Sequence, residues 1–253
     1  MIRVVKRRKS DLVIDFHGFR ETNLLTWLSG APKRIGMKRT GEPHLEFCFN
    51  LPAVPEDKSL HVRDMFFRMV EALGVRGQTT APPLVVPLES LHWARMNLPA
   101  APYAVMYVDA PTPKRIWSPA NFAAVADYLS IELGLNVVAI AGPGGEPLLQ
   151  HLRENSSNSE KIQTTSNLTI PQLAAAVYTA DLLISNDTGP MHLGPALGIP
   201  TLGLFSIGMP EHFKPVGKQG RYLKADTIEG IRVEDVIREV AELKATARRD
   251  PQR

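Results

Sequence analysis

From Tyr103 onward the chain repeats one unit, a short apolar run followed by an amphipathic one, and this alternation constrains the fold more than any other feature. "YAVMYV" reads as a strand, "PANFAAVADYLSIELG" as a helix with Phe122, Val125, Ala126 and Leu129 on one face, "LNVVAIAG" as a strand and "EPLLQHLREN" as a helix. "TIPQLAAAVYTA" follows as a helix, "DLLIS" as a strand, "GPMHLGPALG" as a short helix, "TLGLF" as a strand and "RVEDVIREVAELKATA" as a terminal helix. Strands that alternate with helices predict a parallel sheet covered on both faces, because right-handed crossovers place the helices there. This half is therefore a Rossmann-like α/β domain. Such sheets bind ligands beyond the carboxyl ends of their strands, where the strand order reverses.

The first hundred residues are less regular. "DLVIDF" reads as a buried strand, followed by a turn and a helix in "GFRETNLLTWLSGA" closed by Gly30. In "HVRDMFFRMVEALGV" the residues Val62, Met65, Phe66, Met69, Val70 and Leu73 keep the spacing of a buried helical face, with Gly74 as its cap. One strand and two helices are too little to close a sheet, so this segment reads as part of a domain. Five prolines between Arg76 and Pro102 mark a linker, which gives a partial domain over 1–100 and a complete one over 101–253.

With 44% hydrophobic and 22% charged residues the chain has the composition of a soluble globular protein. Its net charge of +3 owes much to "RVVKRRK", and without a basic stripe interleaved with aromatics that run reads as a solvated edge, not a nucleic-acid footprint. A single cysteine, Cys48, excludes an internal disulfide framework and a paired-cysteine metal site, and it fits a reducing cytoplasm. "NSSNSEK" reads as an exposed loop, and no apolar run approaches the ~20 residues that span a bilayer.

The loop "ISNDTGPMHLGPALGIP" carries the chemistry. Asp187, Thr188 and Gly189 spell the triplet of aspartic proteases, but that chemistry needs two carboxylates sharing a site, and one copy is present, between a strand and a helix. A polar tip ahead of Pro190 at the first turn of a helix instead makes an anion site from backbone N–H groups and the helix dipole. There Thr188 offers a hydroxyl, Gly189 allows close approach and His192 offers an imidazole N–H. The bland alternative is a capping Asp187 or Thr188 and a core His192.

The wider stretch "AAAVYTADLLISNDTGPMHLGPALGIPTLGLF" resembles the donor-site signature of the bacterial lipopolysaccharide heptosyltransferases, glycosyltransferase family nine, with Gly194 and Pro195 where that family usually has alanines. "TPKRIWSPANFAAVADYL" is similar to the segment that opens the family's donor-domain helix, with Lys114, Arg115, Trp117 and Pro119. "AIAGPGGE" resembles the family's strand and loop ending in an acidic residue, here Glu146. "DLVIDFHGFRETNLLTWLSGAPKRIGM" resembles its first-half segment. The likeness runs from about residue 10 to 215, and its most specific part is "DTGPMH".

The resemblance implies a GT-B architecture and transfer of heptose, or a related sugar, from ADP-heptose to a lipid-linked saccharide acceptor of the lipopolysaccharide core. It implies inversion, no metal and no cofactor. It also implies work in the cytoplasm with peripheral contact at the inner face of the inner membrane. On it, Lys114 and Arg115 supply cations to the departing diphosphate, Glu146 meets the nucleotide ribose, and Asp187, Thr188, Gly189, Pro190, Met191 and His192 form the donor loop. Asp187 is expected to orient sugar hydroxyls or to hold the loop amides, since a carboxylate repels a diphosphate. The family's general base lies on a glycine-rich loop before the first matching segment. The resemblance is thus to an N-terminally truncated member, either a full enzyme read from a late start or a binding remnant without turnover, with Asp15 and His17 the catalytic candidates in view.

Overall fold

The computed structural model describes residues 2–77 and 84–247, which fall into two compact units divided between Ala81 and Pro82. The first unit runs α1 (Ile2–Arg7), β1 (Leu12–Asp15), α2 (Arg20–Leu28), β2 (Lys33–Lys38), β3 (Val54–Pro55) and α3 (Val62–Glu71). Its three strands form a parallel sheet in the order β1-β2-β3. The sequence reading found one of these strands. The short run "KRIGMK" of β2 sets a glycine among cations, and β3 is two residues long and contains Pro55, so neither shows an apolar run, although Ile35 and Met37 are buried. The second expected helix is α3. Its Met65 and Met69 are fully buried and pack with Met37, while Phe66 is 37% exposed and meets the Phe16 ring at 4.9 Å, tilted by 52°.

The second unit runs α4 (Leu88–Asn97), β4 (Tyr103–Tyr107), α5 (Pro119–Ile131), β5 (Asn136–Ala141), α6 (Glu146–Asn155), β6 (Ile162–Ser166), α7 (Ile170–Tyr178), β7 (Leu182–Asn186), α8 (Leu193–Ala196), β8 (Thr201–Phe205), α9 (Pro210–Phe213), β9 (Gly220–Lys224) and α10 (Val233–Ala247). All six strands are parallel, in the order β6-β5-β4-β7-β8-β9. Successive residues of β4 serve opposite faces, as the pleat requires. Ala104, Met106 and Val108 face a core with Phe122, Val125 and Leu129 of α5 and Val236 and Val240 of α10, whereas Tyr103 and Val105 meet Ala176 and Val177 of α7. The two strands missing from the sequence reading, β6 ("IQTTS") and β9 ("GRYLK"), are the sheet's edges, where polar side chains replace the apolar run.

The stretch expected as a linker is not one throughout. Within it α4 folds against α7, burying Ala94 and Val86 with Ala174 and Ala175, so the division falls near residue 81 and not at 100. Prolines there mark both ends of a helix as well as loop: Pro87 caps α4 and Pro99 follows its end. The rest of that stretch, 78–83, lies outside the described residues. "NSSNSEK" is the expected exposed loop, held by Asp127, which accepts from the Ser156 and Ser157 hydroxyls and from the Ser157 and Asn158 amides. No helix of the described residues is long and apolar enough to cross a membrane.

Candidate functional site

Strand order reverses between β4 and β7, so the loops leaving these two neighbours diverge and open a crevice at their carboxyl ends. The β4 loop carries Lys114 and Arg115 on a 3-10 turn, Pro113–Arg115, and the β7 loop carries a second 3-10 turn, Gly189–His192, followed by the four-residue α8. The expected single helix is thus two short turns. Neither Asp187 nor Thr188 caps it through its side chain. The Met191 N–H is taken by the Thr188 carbonyl at 3.1 Å and Pro190 has none, while the amides of Thr188 and Gly189 make no hydrogen bond to another described residue. Met191 is fully buried and anchors the turn; His192 stands exposed beside it.

Asp187 is buried and pairs with Arg115, whose Nη1 lies 3.3 Å from the carboxylate Oδ2 and 3.3 Å from the Asp187 carbonyl. The approach to Oδ2 is off line for a hydrogen bond. Oδ2 and Arg115 Nε are therefore both buried without a hydrogen-bond partner among the described residues. Among the described residues no backbone amide donates to this carboxylate, so the expectation that Asp187 holds the loop amides fails and the ion pair takes its place. Burial raises the Asp187 pKa above its ordinary value, against the lowering pull of Arg115 and His192. The protein mass around His192 lowers the imidazole pKa in turn, against the raising pull of Asp187. Room for the carboxylate comes from Gly208, where a methyl group would collide with Oδ2 and stand 3.1 Å from Cγ.

Beside the Gly189–His192 turn lies a cavity of about 410 Å³ with a mainly apolar wall that includes Tyr107, Ile140, Leu173, Gly189, Pro190 and Leu193, at the carboxyl ends of β4, β5 and β7. Asp109, which the sequence reading passed over, shapes it by accepting from Gly142 N–H at 3.1 Å. Glu146 faces elsewhere. It opens α6 and lines a larger polar cavity of about 800 Å³ with Arg153, Thr164 and Ser166. Asn167, which lines the apolar cavity, donates to Glu146 Oε1 at 3.0 Å, beside the Ser166 hydroxyl at 2.8 Å. Hydrogen bonds from its own amide, Ser166 and Asn167 hold the Glu146 pKa down.

The structure therefore brings the segments carrying Lys114, Arg115, Asp187, Thr188, Gly189, Pro190 and His192 to the crevice, buries Met191 beneath them and sets Glu146 on a separate cavity. Asp15 serves another purpose. It is buried and accepts four hydrogen bonds, from the His17 and Gly18 amides at 3.0 Å, Thr22 Oγ1 at 2.9 Å and Asn23 Nδ2 at 2.8 Å, which shape the turn into α2. The His17 side chain is exposed. Among the described residues no group of three or more His, Cys, Asp or Glu is placed to hold a metal ion.

Two residues that hold the crevice escaped the sequence reading. Asn186, fully buried at the end of β7, accepts from Trp117 N–H at 3.2 Å and donates to the Val108 carbonyl at 2.9 Å. Ser206, just past β8, donates to the Lys114 carbonyl at 2.7 Å. Their only signal is position, one polar residue at the end of each apolar strand facing the crevice.

Residues 1–236 match the sequence model of glycosyltransferase family 9 (heptosyltransferase). The chain belongs to this family. Lipopolysaccharide heptosyltransferase 3 of Escherichia coli is 24% identical over 218 residues, which are 84% of this chain and 63% of that relative, so the chain spans under two thirds of the relative's length. The glycosyl transferase family 9 structure from Veillonella parvula superposes with a TM-score of 0.83 at 25% identity, covering 97% of this chain and 77% of that one. The Escherichia coli heptosyltransferase WaaC with ADP gives 0.75 at 20% identity, covering 96% of this chain and 75% of that one, a likeness of fold. The family 9 fold here is α/β with parallel sheets, of the GT-B type.

Proposed function

We propose that this family 9 chain acts as a glycosyltransferase that moves heptose, or a related sugar, from ADP-heptose to a lipid-linked acceptor of the lipopolysaccharide core, with inversion and without a metal ion. The observation that carries the reading is the Lys114–Arg115 turn, tied through Arg115 to Asp187 just ahead of the Gly189–His192 turn at the β4/β7 switch point, with a cavity of about 410 Å³ beside it. Transfer builds positive charge on the sugar and negative charge on the departing diphosphate. In this reading the two cations, the Thr188 and Gly189 amides and the His192 imidazole meet that negative charge, and the apolar cavity takes the nucleobase. Asp187, set off from the diphosphate by Arg115, faces the sugar hydroxyls. Glu146 reaches the ribose from the side, oriented by Ser166 and Asn167. The lipid-linked acceptor draws the chain to the inner face of the inner membrane.

The test is ADP release on incubation with ADP-heptose and a core acceptor, run on this chain and on one extended upstream. Silence from both refutes the transferase. A second reading, nucleotide-sugar binding without turnover, draws on the four hydrogen bonds that occupy Asp15, a candidate base. ADP-heptose then raises the Tm without releasing ADP, and release refutes it.

A further inference from the structure

Lys114 and Arg115 sit on neither a strand nor a long helix. They ride an irregular loop, residues 108–118, and a loop places two cations only as well as it is tied down. The ladder between β4 and β7 ends at the pair Tyr107 and Ser185. One residue further the strands part. There the Asn186 side chain takes over from the backbone, with its amide N–H on the Val108 carbonyl where the loop leaves β4 and its amide oxygen on the Trp117 N–H where the loop enters α5. Asparagine supplies a donor and an acceptor at once, so one side chain closes both ends of the loop. Ser206, from the next strand over, bonds to the loop at Lys114 itself. Indole Nε1 of Trp117 adds a tie to the Ile231 carbonyl at 3.0 Å, ahead of α10, which fixes the exit of the loop to the core.

From this geometry we infer that Asn186 and Ser206 are positioning residues. They hold the Lys114–Arg115 turn against the Gly189–His192 turn and act on a bound diphosphate through these two cations, touching no ligand themselves. The inference rests on the donor-site reading above. Without the ties the loop spends time in positions from which the cations do not reach the diphosphate, and apparent affinity falls in proportion to the competent fraction.

The experiment is calorimetric titration of ADP into the whole chain and its variants. Ser206→Ala removes one neutral hydrogen bond and weakens ADP binding about fivefold, and Asn186→Ala, which frees both ends of the loop, weakens it about thirtyfold. In a chain already carrying Lys114→Ala and Arg115→Ala, each change costs less than about twofold, because the groups through which it acts are gone. Equal losses in both backgrounds, or unchanged affinity in Ser206→Ala, overturn the inference. Should Asn186→Ala fail to fold, Ser206→Ala decides alone, since it removes only a hydroxyl. Wild-type chain that does not bind ADP overturns the donor-site reading and this inference together; wild-type chain that binds while Ser206→Ala is silent overturns the inference alone.

Discussion

Replacing Gly194 with alanine should destabilise this chain. A methyl group at Gly194 would fall inside the van der Waals radius of Thr201 Oγ1, and at 3.1 Å from Leu183 Cδ2 and 3.2 Å from Thr201 Cβ, all fully buried. Overpacking of this kind costs about 1–3 kcal/mol. Turning the hydroxyl away also sacrifices its 2.8 Å hydrogen bond to the Ile199 carbonyl, about 1 kcal/mol more. Against this, alanine gains roughly 0.5–1 kcal/mol over glycine within a helical turn. The net loss is about 1–3 kcal/mol, a Tm lower by about 2–12 °C for a unit this size. Thr201→Ala alone gives up the hydrogen bond and leaves a small void, at about 1–2 kcal/mol. In the double variant the clash with Oγ1 is absent, so the two changes cost less together than their sum by about 1–2 kcal/mol. Urea unfolding of the four chains measures this cycle. A stabilised Gly194→Ala, or strict additivity, refutes the claim that Gly194 and Thr201 share one space.

Other outcomes follow from the site. Burial raises the Asp187 pKa, so the folded chain keeps that proton to higher pH than the unfolded one, and stability is lost as pH rises from 3.8 through the folded value. Asp187→Asn should therefore gain on wild type across that window in urea midpoints; a shrinking gap would mean that the pull of Arg115 prevails. For His192 the sign is opposite: the protein mass around the exposed imidazole lowers its pKa, the unfolded chain protonates first, and stability is lost as pH falls below 6.5 through the folded value. His192→Gln flattens that slope in the same series. Asp15→Ala removes four hydrogen-bond acceptor contacts and should destabilise the first unit by about 2–4 kcal/mol while leaving ADP affinity unchanged, as denaturation and calorimetry together would read.

The interior of the sheet was legible because β4, β5, β7 and β8 are buried on both faces and must be apolar throughout. Their helices were legible because each buries one stripe. The strands that went unseen, β2, β3, β6 and β9, are short, glycine-bearing or at an edge, and a strand with one solvated side needs no apolar run. The domain division was misplaced for a related reason. Proline marks an interruption of backbone hydrogen bonding, not a boundary between cores, and α4 fits between two such interruptions because Ala94 is small enough to pack on Ala174 and Ala175.

In the site the same asymmetry separates residues that face a ligand from residues that hold them. "DTGPMH" is readable because a polar tip ahead of a proline, between a strand and a helical turn, is a recognisable pattern in the sequence, while Asn186 and Ser206 are ordinary polar residues whose importance lies in what stands opposite them. Asp187 belongs to both groups. Its triplet first suggests a carboxylate that activates water, yet its burial, the off-line approach of Arg115 and the absence of a methyl group at Gly208 describe a charge tolerated for what it does to its neighbour. A guanidinium left with a buried, unbonded Nε–H is short of an acceptor that the carboxylate, at this angle, does not supply.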